Sequence, residues 1–194
     1  MTTLVAVKKG KKICLASDSL SVFGSRKEEA GKHVYGAGKI LEIGPNLVGI
    51  AGHASWGLIL ADYFLKKKNI PLWETVDQIF ELFNSLHEDL KKRYYLIPPH
   101  LTFLPFESSD FQLLIINSCG IFEVEHSRVV RHYKRYSAIG TGEEYALGAV
   151  SSVYNLLEDP EEIAKIGIQS AAQFDQKTGL PVYARCVQLS VIEP

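Results

Sequence analysis

The chain has 194 residues, of which 46% are hydrophobic and 22% are charged, and its formal net charge is -1. This composition is typical of a globular protein, and it argues against a disordered chain and against a general binder of polyanions such as nucleic acids. The length fits one domain over residues 1–194, large enough to bury about 70% of the surface that the unfolded chain exposes.

The chain opens with MTTLVAV, a pattern typical of a β-strand and without the apolar core or cleavage site of a signal peptide. Removal of Met1 would leave Thr2 with a free α-amine beside its hydroxyl. An α-amine with a pKa near ~8 is able to act as a base at neutral pH, whereas the amide nitrogen that exists while Met1 is attached is not. Thr2 is therefore a candidate nucleophile with its own base, although Met-Thr is a common start that carries little weight alone.

A β-hairpin is predicted at the beginning of the chain. Strands Thr2–Val7 and Ile13–Ser17 flank a turn around Gly10, and the lysine-rich sequence of that turn favours a solvated turn over a nucleic-acid patch. After Asp18, the charged segment Ser25–Lys32 is predicted to be a surface loop.

Two more strands and two helices are predicted to follow. Strands Lys39–Ile43 and Leu47–Ala51 flank a turn, and from Ala54 the apolar residues recur at helical spacing. A second amphipathic helix is predicted over Pro71–Tyr95. The apolar faces of the two helices comprise Trp56, Ile59, Leu60, Tyr63 and Phe64, then Val76, Ile79, Phe80, Phe83, Leu86 and Leu90.

Segment Leu96–Asp110 holds three prolines and is predicted to be a long loop or an irregular insertion. Strands return after it, followed by two helices, which start after Gly142 and at Pro160, and by a closing strand, Val182–Ile192. The strands are Phe111–Ile116, Gly120–Glu125, Val129–Tyr133 and Tyr136–Ile139. The inward faces of the helices comprise Tyr145, Ala149, Val150, Val153 and Leu157, then Ile163, Ile166, Ile168, Ala171 and Phe174.

The order of elements indicates an α+β fold. The chain runs through strands, two helices, strands, two helices and a final strand. This order favours two antiparallel sheets packed face to face, with a helix pair covering each outer face. Sheets covered on both faces explain why several strands lack polar alternation. We therefore expect a four-layer αββα sandwich.

Cysteine usage and hydropathy bear on the compartment. Cys14, Cys119 and Cys186 form an odd set without CxxC spacing, which predicts buried free thiols, no zinc site and a reducing environment. The most apolar stretch, 47–64, is interrupted by glycines, a histidine and an aspartate, so it does not predict a membrane span. A cytoplasmic protein is expected.

Small, polar or charged residues stand where predicted strands or helices end. They are Asp18 with Ser19, Lys39, Gly52 with His53, Gly140-Thr141-Gly142, and Asp175 with Thr178. Taken singly, each has an ordinary interpretation as a turn residue, a cap or a solvated lysine. Their order behind a possible N-terminal threonine is more informative than any one of them.

With these residues in place, the chain resembles the N-terminal-threonine peptidases, which comprise proteasome β-type subunits and the bacterial HslV-type peptidase. The resemblance covers most of the chain, but segment 96–110 has no clear counterpart. Six motifs in the same order carry it: Thr2–Val7, Ala16–Ser19, Gly38–Ile43, Gly49–Gly52, Ala138–Gly142 with Tyr145-Ala146, and Gln173–Gly179.

The resemblance implies a nucleophile and its electrostatic partners. Thr2 would be the nucleophile and its α-amine the general base. Lys39 beside Thr2 would lower the pKa of both the amine and the hydroxyl, and Asp18 would hold Lys39 in place and balance its charge.

The resemblance also implies the groups that stabilise the reaction. The backbone N–H of Gly52 would bind the oxyanion, a contribution of roughly 3–4 kcal/mol when well aimed. Thr141, Asp175 and Thr178 would orient the α-amine and a water molecule. The family usually has serine at the positions of Thr141 and Thr178, and the hydroxyl is retained in both.

Substrate contacts depart from the family pattern. His53 stands where a second glycine is common, and it is either a polar group beside the cleft or the first residue of a helix. The threonine of the substrate-binding loop falls on Val22 or, with a shift of one residue, on Ser21. Ile50 stands where the family lines its first specificity pocket, and this predicts a preference for apolar P1 side chains.

The implied activity is that of a threonine endopeptidase that needs no metal or organic cofactor. Peptides or unfolded proteins would be the substrates, and nucleic acids and membranes are not expected as partners. The family works as homo-oligomeric rings, so an ATP-dependent unfoldase is a possible partner, and the chain itself has no GxxxxGK[ST] motif. Two alternatives stay open: an amidohydrolase of the same architecture that acts on small amides, and a catalytically silent ring subunit.

Overall fold

The computed structural model describes residues 2–23, 26–29, 38–94 and 107–190. Within these ranges the chain forms strands β1 Thr3–Lys9, β2 Lys12–Ser17, β3 Leu20–Phe23, β4 Arg26–Glu29, β5 Ile40–Ile43, β6 Asn46–Gly52, β7 Phe111–Asn117, β8 Gly120–Val124, β9 Val130–Tyr133, β10 Tyr136–Gly140 and β11 Tyr183–Gln188. The helices are α1 Ser55–Leu65, α2 Val76–Tyr94, α3 Glu143–Val153 and α4 Pro160–Phe174.

Two antiparallel sheets form the centre of the molecule. One has the strand order β10-β1-β2-β11 and the other the order β5-β6-β7-β8-β9, while β3 and β4 form a separate ribbon. The faces that meet between the two large sheets are apolar. Their buried residues include Leu4, Ala6, Ile13 and Leu15 from the first sheet, and Leu47, Ala51, Leu114, Ile116 and Ile121 from the second.

A helix pair covers the outer face of each sheet. Val5 and Val7 of β1 belong to the cluster with Val150 of α3 and Ile168 of α4. On the opposite side, α1 and α2 cover the five-stranded sheet through a cluster that includes Trp56, Leu60, Phe83, Leu86, Ile115 and Phe122. Successive side chains of a strand point to opposite faces, so β1 is buried on both sides. The predicted αββα sandwich and its hydrophobic central strands are confirmed.

The prediction of a loop at Ser25–Lys32 is wrong where the structure describes it. Arg26–Glu29 forms β4, which pairs with β3 in the register Ser21↔Glu28 and Val22↔Lys27. Charged side chains do not prevent pairing in a two-stranded ribbon, because its faces are not both packed against a core. Residues 25 and 30–32 lie outside the described residues.

The second helix starts later than predicted, at Val76 rather than near Pro71. Thr75 explains the start, because its side chain accepts the Gln78 N–H at 3.2 Å and its carbonyl accepts the Ile79 N–H. The preceding residues are held in an extended path instead. The Asn46 side chain bonds to the Pro71 carbonyl and to the Trp73 N–H.

Three aromatic residues predicted to face inward are exposed. They are Phe80 on α2, Tyr145 on α3 and Phe174 on α4, which is 63% exposed. Phe80 and Tyr145 lie at the edge of the apolar stripe of their helix, where periodicity assigns a face less sharply than at the centre. Phe174 is the last residue of α4, where the helix ends. Tyr145 and Phe174 contact each other, with ring centroids 5.5 Å apart.

Cys14 and Cys186 form a disulfide, so the prediction of three free thiols is wrong. The residues lie opposite each other in β2 and β11, with their Cα atoms 4.1 Å apart and a sequence separation of 172. Nothing in their sequence spacing reveals this pairing, because only the sheet register brings them together. Cys119 is the free cysteine among the described residues.

Smaller differences concern the ends of the elements. The closing strand runs over Tyr183–Gln188, so it begins one residue later and ends earlier than predicted, and residues 191–192 of the predicted strand lie outside the described residues. Residues 107–110 are irregular as predicted, with the Ser109 N–H donating to the His126 carbonyl. Residues 95–106 lie outside the described residues. No helix in the described ranges is long and apolar enough to cross a membrane.

The lysine-rich turn forms as predicted around Gly10, which has a positive φ of 57°. Its lysines are less solvated than expected. The Lys9 ammonium donates to the carbonyls of Tyr154 and Leu157 just beyond the end of α3, and Lys12 pairs with Asp159. A positive charge is favourable near the C-terminus of a helix, so this turn anchors the helix layer to the sheet.

Candidate active site

The Thr2–Thr3 peptide is held from two sides at the beginning of β1. The Thr2 carbonyl accepts the Thr141 N–H at 3.1 Å. The Thr3 N–H donates to Asp18 Oδ1 at 3.0 Å. Thr2 itself is only 5% exposed, and its hydroxyl has no hydrogen-bond partner within the described ranges. Two predicted site residues, one after β2 and one after β10, therefore meet on either side of Thr2.

Gly140 makes this approach possible. It pairs with Thr3 in the sheet and has a φ of 97°, which side-chain-bearing residues rarely adopt. A Cβ atom added here would lie 1.8 Å from the Thr2 carbonyl oxygen. The backbone of β10 approaches Thr2 this closely because position 140 is glycine.

Asp18 and Lys39 form a buried ion pair. Lys39 Nζ lies 2.7 Å from Asp18 Oδ1 and also donates to the Leu20 carbonyl at 2.7 Å. Asp18 is fully buried, and its second oxygen accepts the N–H groups of Leu20 and Gly179. Burial lowers the pKa of Lys39, and the nearby charges of Asp18 and Asp175 offset that effect only in part.

Asp175 gathers hydroxyl groups at the end of α4. Thr141 Oγ1 donates to Asp175 Oδ2 at 2.6 Å and Thr178 Oγ1 donates to the same oxygen at 2.5 Å, while the Lys177 N–H donates to Oδ1. Burial acts to raise the pKa of Asp175, but hydrogen bonds from Thr141 and Thr178 outweigh it, and the pKa lies below its ordinary value. The carboxylate is therefore the ionised form at neutral pH.

The Asp18–Lys39 pair and the Asp175 cluster are connected through β1 and the turn after α4. Thr178 Oγ1 lies 2.6 Å from Thr3 Oγ1, and the neighbouring Gly179 N–H bonds to Asp18. Three predicted residues, Asp18, Thr141 and Thr178, contact Thr2 or Thr3 directly. Two more, Lys39 and Asp175, are joined to them by hydrogen bonds. Thr3 also belongs to this cluster, although it was not among the predicted site residues.

Gly52 and His53 follow β6. Gly52 has a φ of 150°, and an added Cβ would lie 2.9 Å from the Asp110 carbonyl oxygen, so glycine is required there. His53 is exposed, and its Nδ1 accepts the Ser55 N–H at 3.3 Å at the start of α1. This contact favours the interpretation of His53 as a helix-start residue. No hydrogen bond joins Gly52 or His53 to Thr2 in the described part of the chain.

The predicted substrate-binding residues lie on two strands. Ser21 and Val22 are half-buried on β3, which leaves the site directly after Asp18. Ile50 lies on β6, is 8% exposed, and belongs to the apolar cluster beneath α1 and α2. Its N–H donates to the Lys39 carbonyl at 3.1 Å, which ties the predicted specificity pocket to the backbone of Lys39.

Among the described residues, one group of side chains of the types that bind metals lies close together, and it shares no residue with this site. Cys14, Cys186 and Glu161 place their ligand atoms within 4.8 Å of one another. The two sulfur atoms are already joined in the disulfide, and Lys12 and Lys165 neutralise the Glu161 carboxylate. These three residues do not form a metal centre in this state.

Comparison with known proteins adds independent findings. No family model matches the chain. The ATP-dependent protease subunit HslV of Caldicellulosiruptor saccharolyticus is 30% identical over 177 residues, which cover 88% of this chain and 89% of that protein.

Solved structures show the same likeness over nearly the whole chain. Thiobacillus denitrificans BPH is 38% identical with a TM-score of 0.92, covering 98% of this chain and all of that one. The same protein in complex with epoxomicin gives a TM-score of 0.90 at 38% identity and covers 97% and 99%. Eukaryotic HslV from Trypanosoma brucei, 19% identical with a TM-score of 0.63 and coverage of 96% and 99%, shares the fold.

Proposed function

Because the chain belongs to the HslV family of proteasome-type peptidases, we propose that it is a threonine endopeptidase whose nucleophile is Thr2 after removal of Met1. The observation that carries this proposal is the Thr2–Thr3 peptide bonded to Asp18 on one side and to Thr141 on the other. Met1 lies outside the described residues, so its removal stays a prediction. Residues 1–194 are proposed to form one domain.

The proposed first half-reaction forms an acyl-enzyme. Thr2 Oγ attacks the scissile carbonyl carbon while the α-amine takes the hydroxyl proton, and the carbonyl π electrons move to the oxygen. The Gly52 N–H would stabilise this oxyanion. Collapse of the tetrahedral intermediate breaks the C–N bond, and the α-ammonium returns its proton to the leaving amine. An ester between Thr2 and the substrate carbonyl remains.

The second half-reaction restores the enzyme. The neutral α-amine takes a proton from a water molecule as that water attacks the ester, and the protonated amine then returns the proton to Thr2 Oγ as the C–O bond breaks. We propose that Thr141, Asp175 and Thr178 orient the amine and this water. Their contacts to one another support the role, since the Thr141 and Thr178 hydroxyls lie 2.6 and 2.5 Å from one oxygen of the Asp175 carboxylate.

Lys39 is proposed to tune the nucleophile electrostatically. A positive charge near Thr2 disfavours protonation of the α-amine and favours negative charge on the hydroxyl oxygen. Asp18 holds the ammonium at 2.7 Å and compensates for its burial. The lowered pKa of Lys39 reflects burial, and the ion pair with Asp18 opposes that shift.

Substrate and assembly follow from the family. We propose that peptides or unfolded proteins are cleaved within a homo-oligomeric ring, and that an ATP-dependent unfoldase supplies them. The HslV relative is named an ATP-dependent protease subunit, which supports a role for ATP in a partner. Ser21, Val22, His53 and Ile50 are the proposed substrate contacts, with Ile50 favouring apolar P1 residues. Cytoplasmic location stays a prediction, and the disulfide removes the argument from free thiols that supported it.

The test combines mass and activity. We expect the intact mass of purified protein to lack Met1. We expect Thr2→Ala to reduce hydrolysis of fluorogenic peptides by at least about 10³-fold, because this variant keeps the α-amine but has no hydroxyl to attack the carbonyl carbon. Epoxomicin should add one inhibitor mass to the wild type and none to Thr2→Ala. Thr2→Ser, which keeps a hydroxyl and an amine, is the matched control and should retain activity.

The same experiment separates the alternatives. Thr2-dependent cleavage of small amides without cleavage of casein would identify an amidohydrolase. A mass that retains Met1, together with no epoxomicin adduct, would identify a silent subunit. Full peptidase activity in Thr2→Ala would contradict the assignment of Thr2 altogether.

A further inference from the structure

A line of hydroxyl groups joins Thr3 to the Asp175 carboxylate. Thr3 Oγ1 lies 2.6 Å from Thr178 Oγ1, which lies 2.5 Å from Asp175 Oδ2. At the other end, Thr3 Oγ1 accepts the Gly142 N–H at 3.0 Å. All three distances lie within the range of hydrogen bonds, so the four residues form one continuous chain.

Proton counting determines the direction of each bond. An ionised carboxylate can only accept, so Thr178 donates its single hydroxyl proton to Asp175. The contact between the two threonines then requires Thr3 to donate and Thr178 to accept. Thr3 has this proton available because Gly142 is itself a donor to the Thr3 oxygen. The bonds therefore all point toward the negative charge, an arrangement in which each strengthens the next.

We propose that Thr3 is a positioning residue of the peptidase: its hydroxyl holds the Thr178 hydroxyl in one orientation, with the remaining lone pair of Thr178 available to an N–H of the Thr2 α-amine. This inference rests on the proposed function. An α-amine that acts as a base must direct its own lone pair at the Thr2 hydroxyl, so its N–H groups need a fixed acceptor elsewhere. Without the Thr3 hydroxyl, no donor would fix the orientation of the Thr178 oxygen that accepts this N–H.

The role belongs to the side chain of Thr3 and is separable from its backbone. The Thr3 N–H and carbonyl bond to Asp18, and they hold β1 in place whatever side chain is present. Thr3 is fully buried, so its hydroxyl does not touch substrate. Loss of the hydroxyl should therefore affect the chemical step more than substrate binding.

The test is a comparison of Thr3→Val with Thr3→Ser. Valine keeps the branched shape and removes the hydroxyl, and we expect kcat to fall about tenfold while KM changes less than about twofold. Serine keeps the hydroxyl and should remain within about threefold of the wild-type kcat. Thermal unfolding of both variants shows whether the fold is intact. Thr3→Ala serves as a second variant without the hydroxyl, because a valine methyl in place of Oγ1 would approach the Gly142 nitrogen closely.

A double-mutant cycle adds a readout that a purely structural residue would not move. In a Thr178→Val background, Thr3→Val should reduce kcat by less than about twofold further, because the bond it removes is already absent. Full additivity would overturn the inference, as would a Thr3→Ala or Thr3→Val enzyme with wild-type kcat or a Thr3→Ser enzyme as impaired as Thr3→Val. A wild-type protein without Thr2-dependent activity would contradict the proposed function itself. If the wild type is active, the variants of Thr3 test the role of Thr3 alone.

Discussion

At the scale of single residues, the site depends on glycines that permit close backbone approach and on carboxylates whose oxygens are all engaged. Gly140 allows β10 to reach the Thr2 carbonyl. Asp18 is fully buried yet accepts from one ammonium and three backbone N–H groups, which is why a charge is tolerated there. Its removal would take away the carboxylate that lies 2.7 Å from the buried Lys39 ammonium.

The first residue-scale prediction concerns pH. The pKa of Asp175 lies below its ordinary value of 3.8, so its ionised form stabilises the folded state above that pH and the contribution is lost as the pH falls through the folded-state pKa. Asp175→Asn should therefore be less stable than the wild type at pH 7, and the difference should shrink below about pH 3.8.

Urea unfolding of both proteins at several pH values measures that difference. Lys165 forms an exposed ion pair on α4, and Lys165→Met provides a control whose effect should stay small across the range. A gap between wild type and Asp175→Asn that grows on acidification would contradict the assignment of Asp175 as the ionised acceptor.

At the scale of elements, the helices begin where their caps dictate. Pro160 was correctly predicted at the start of α4, and the residue before it, Asp159, accepts the Glu161 N–H at 3.2 Å as the N-cap. The same carboxylate pairs with Lys12 of the first hairpin at 2.9 Å. The helix start therefore combines a capping signal that the sequence shows with a tertiary ion pair that the sequence does not show.

The element-scale prediction separates those two contributions. Asp159→Ala removes both the cap and the ion pair and should lower the free energy of unfolding by about 1 kcal/mol. Asp159→Asn keeps a capping oxygen and loses only a partly exposed ion pair, which contributes about 0–1 kcal/mol. Chemical denaturation should place Asn between Ala and wild type. An alanine variant as stable as the wild type would show that α4 does not depend on this cap.

At the scale of the whole molecule, the sandwich brings distant parts of the chain to one end of β1. Strand β1 is central in its sheet, with β2 and β10 on either side, and the residues after those neighbours, Asp18 and Thr141, are placed beside Thr2. The sheet closes through β11, which pairs with β2 and is joined to it by the Cys14–Cys186 disulfide. The turn between α4 and β11 supplies Thr178 and Gly179.

The whole-molecule prediction is that this disulfide stabilises the sandwich. It closes a loop with a sequence separation of 172 residues, so reduction or Cys186→Ser should lower the free energy of unfolding by about 2–4 kcal/mol. Thermal unfolding with and without a thiol reductant measures the effect. Cys119→Ser is the control, since Cys119 is outside the bridge. Equal melting temperatures for oxidised protein, reduced protein and Cys186→Ser would contradict the prediction.

The sequence by itself determined the layers, because hydrophobic periodicity distinguishes strands from helices and the order of elements leaves few ways to bury both faces of β1. The resemblance to the peptidase family singled out Asp18, Lys39, Thr141, Asp175 and Thr178, and their catalytic roles stay a prediction. The sequence did not predict β4, the exposure of Phe174 or the contact between Thr3 and Thr178, because each of these depends on the neighbours that the fold supplies.

The tertiary structure alone decided those contacts. Register places Cys14 opposite Cys186, and the positive φ of Gly140 brings Thr2 against Thr141. A hydrogen bond forms only when its two atoms lie within a few tenths of an ångström of the preferred separation. Here the bonded residues can be more than 100 positions apart in sequence, and hydrophobic periodicity carries no information about such distances. The sequence therefore predicts a threonine nucleophile at the start of the chain, but only the packed sheets show how the groups around it are connected.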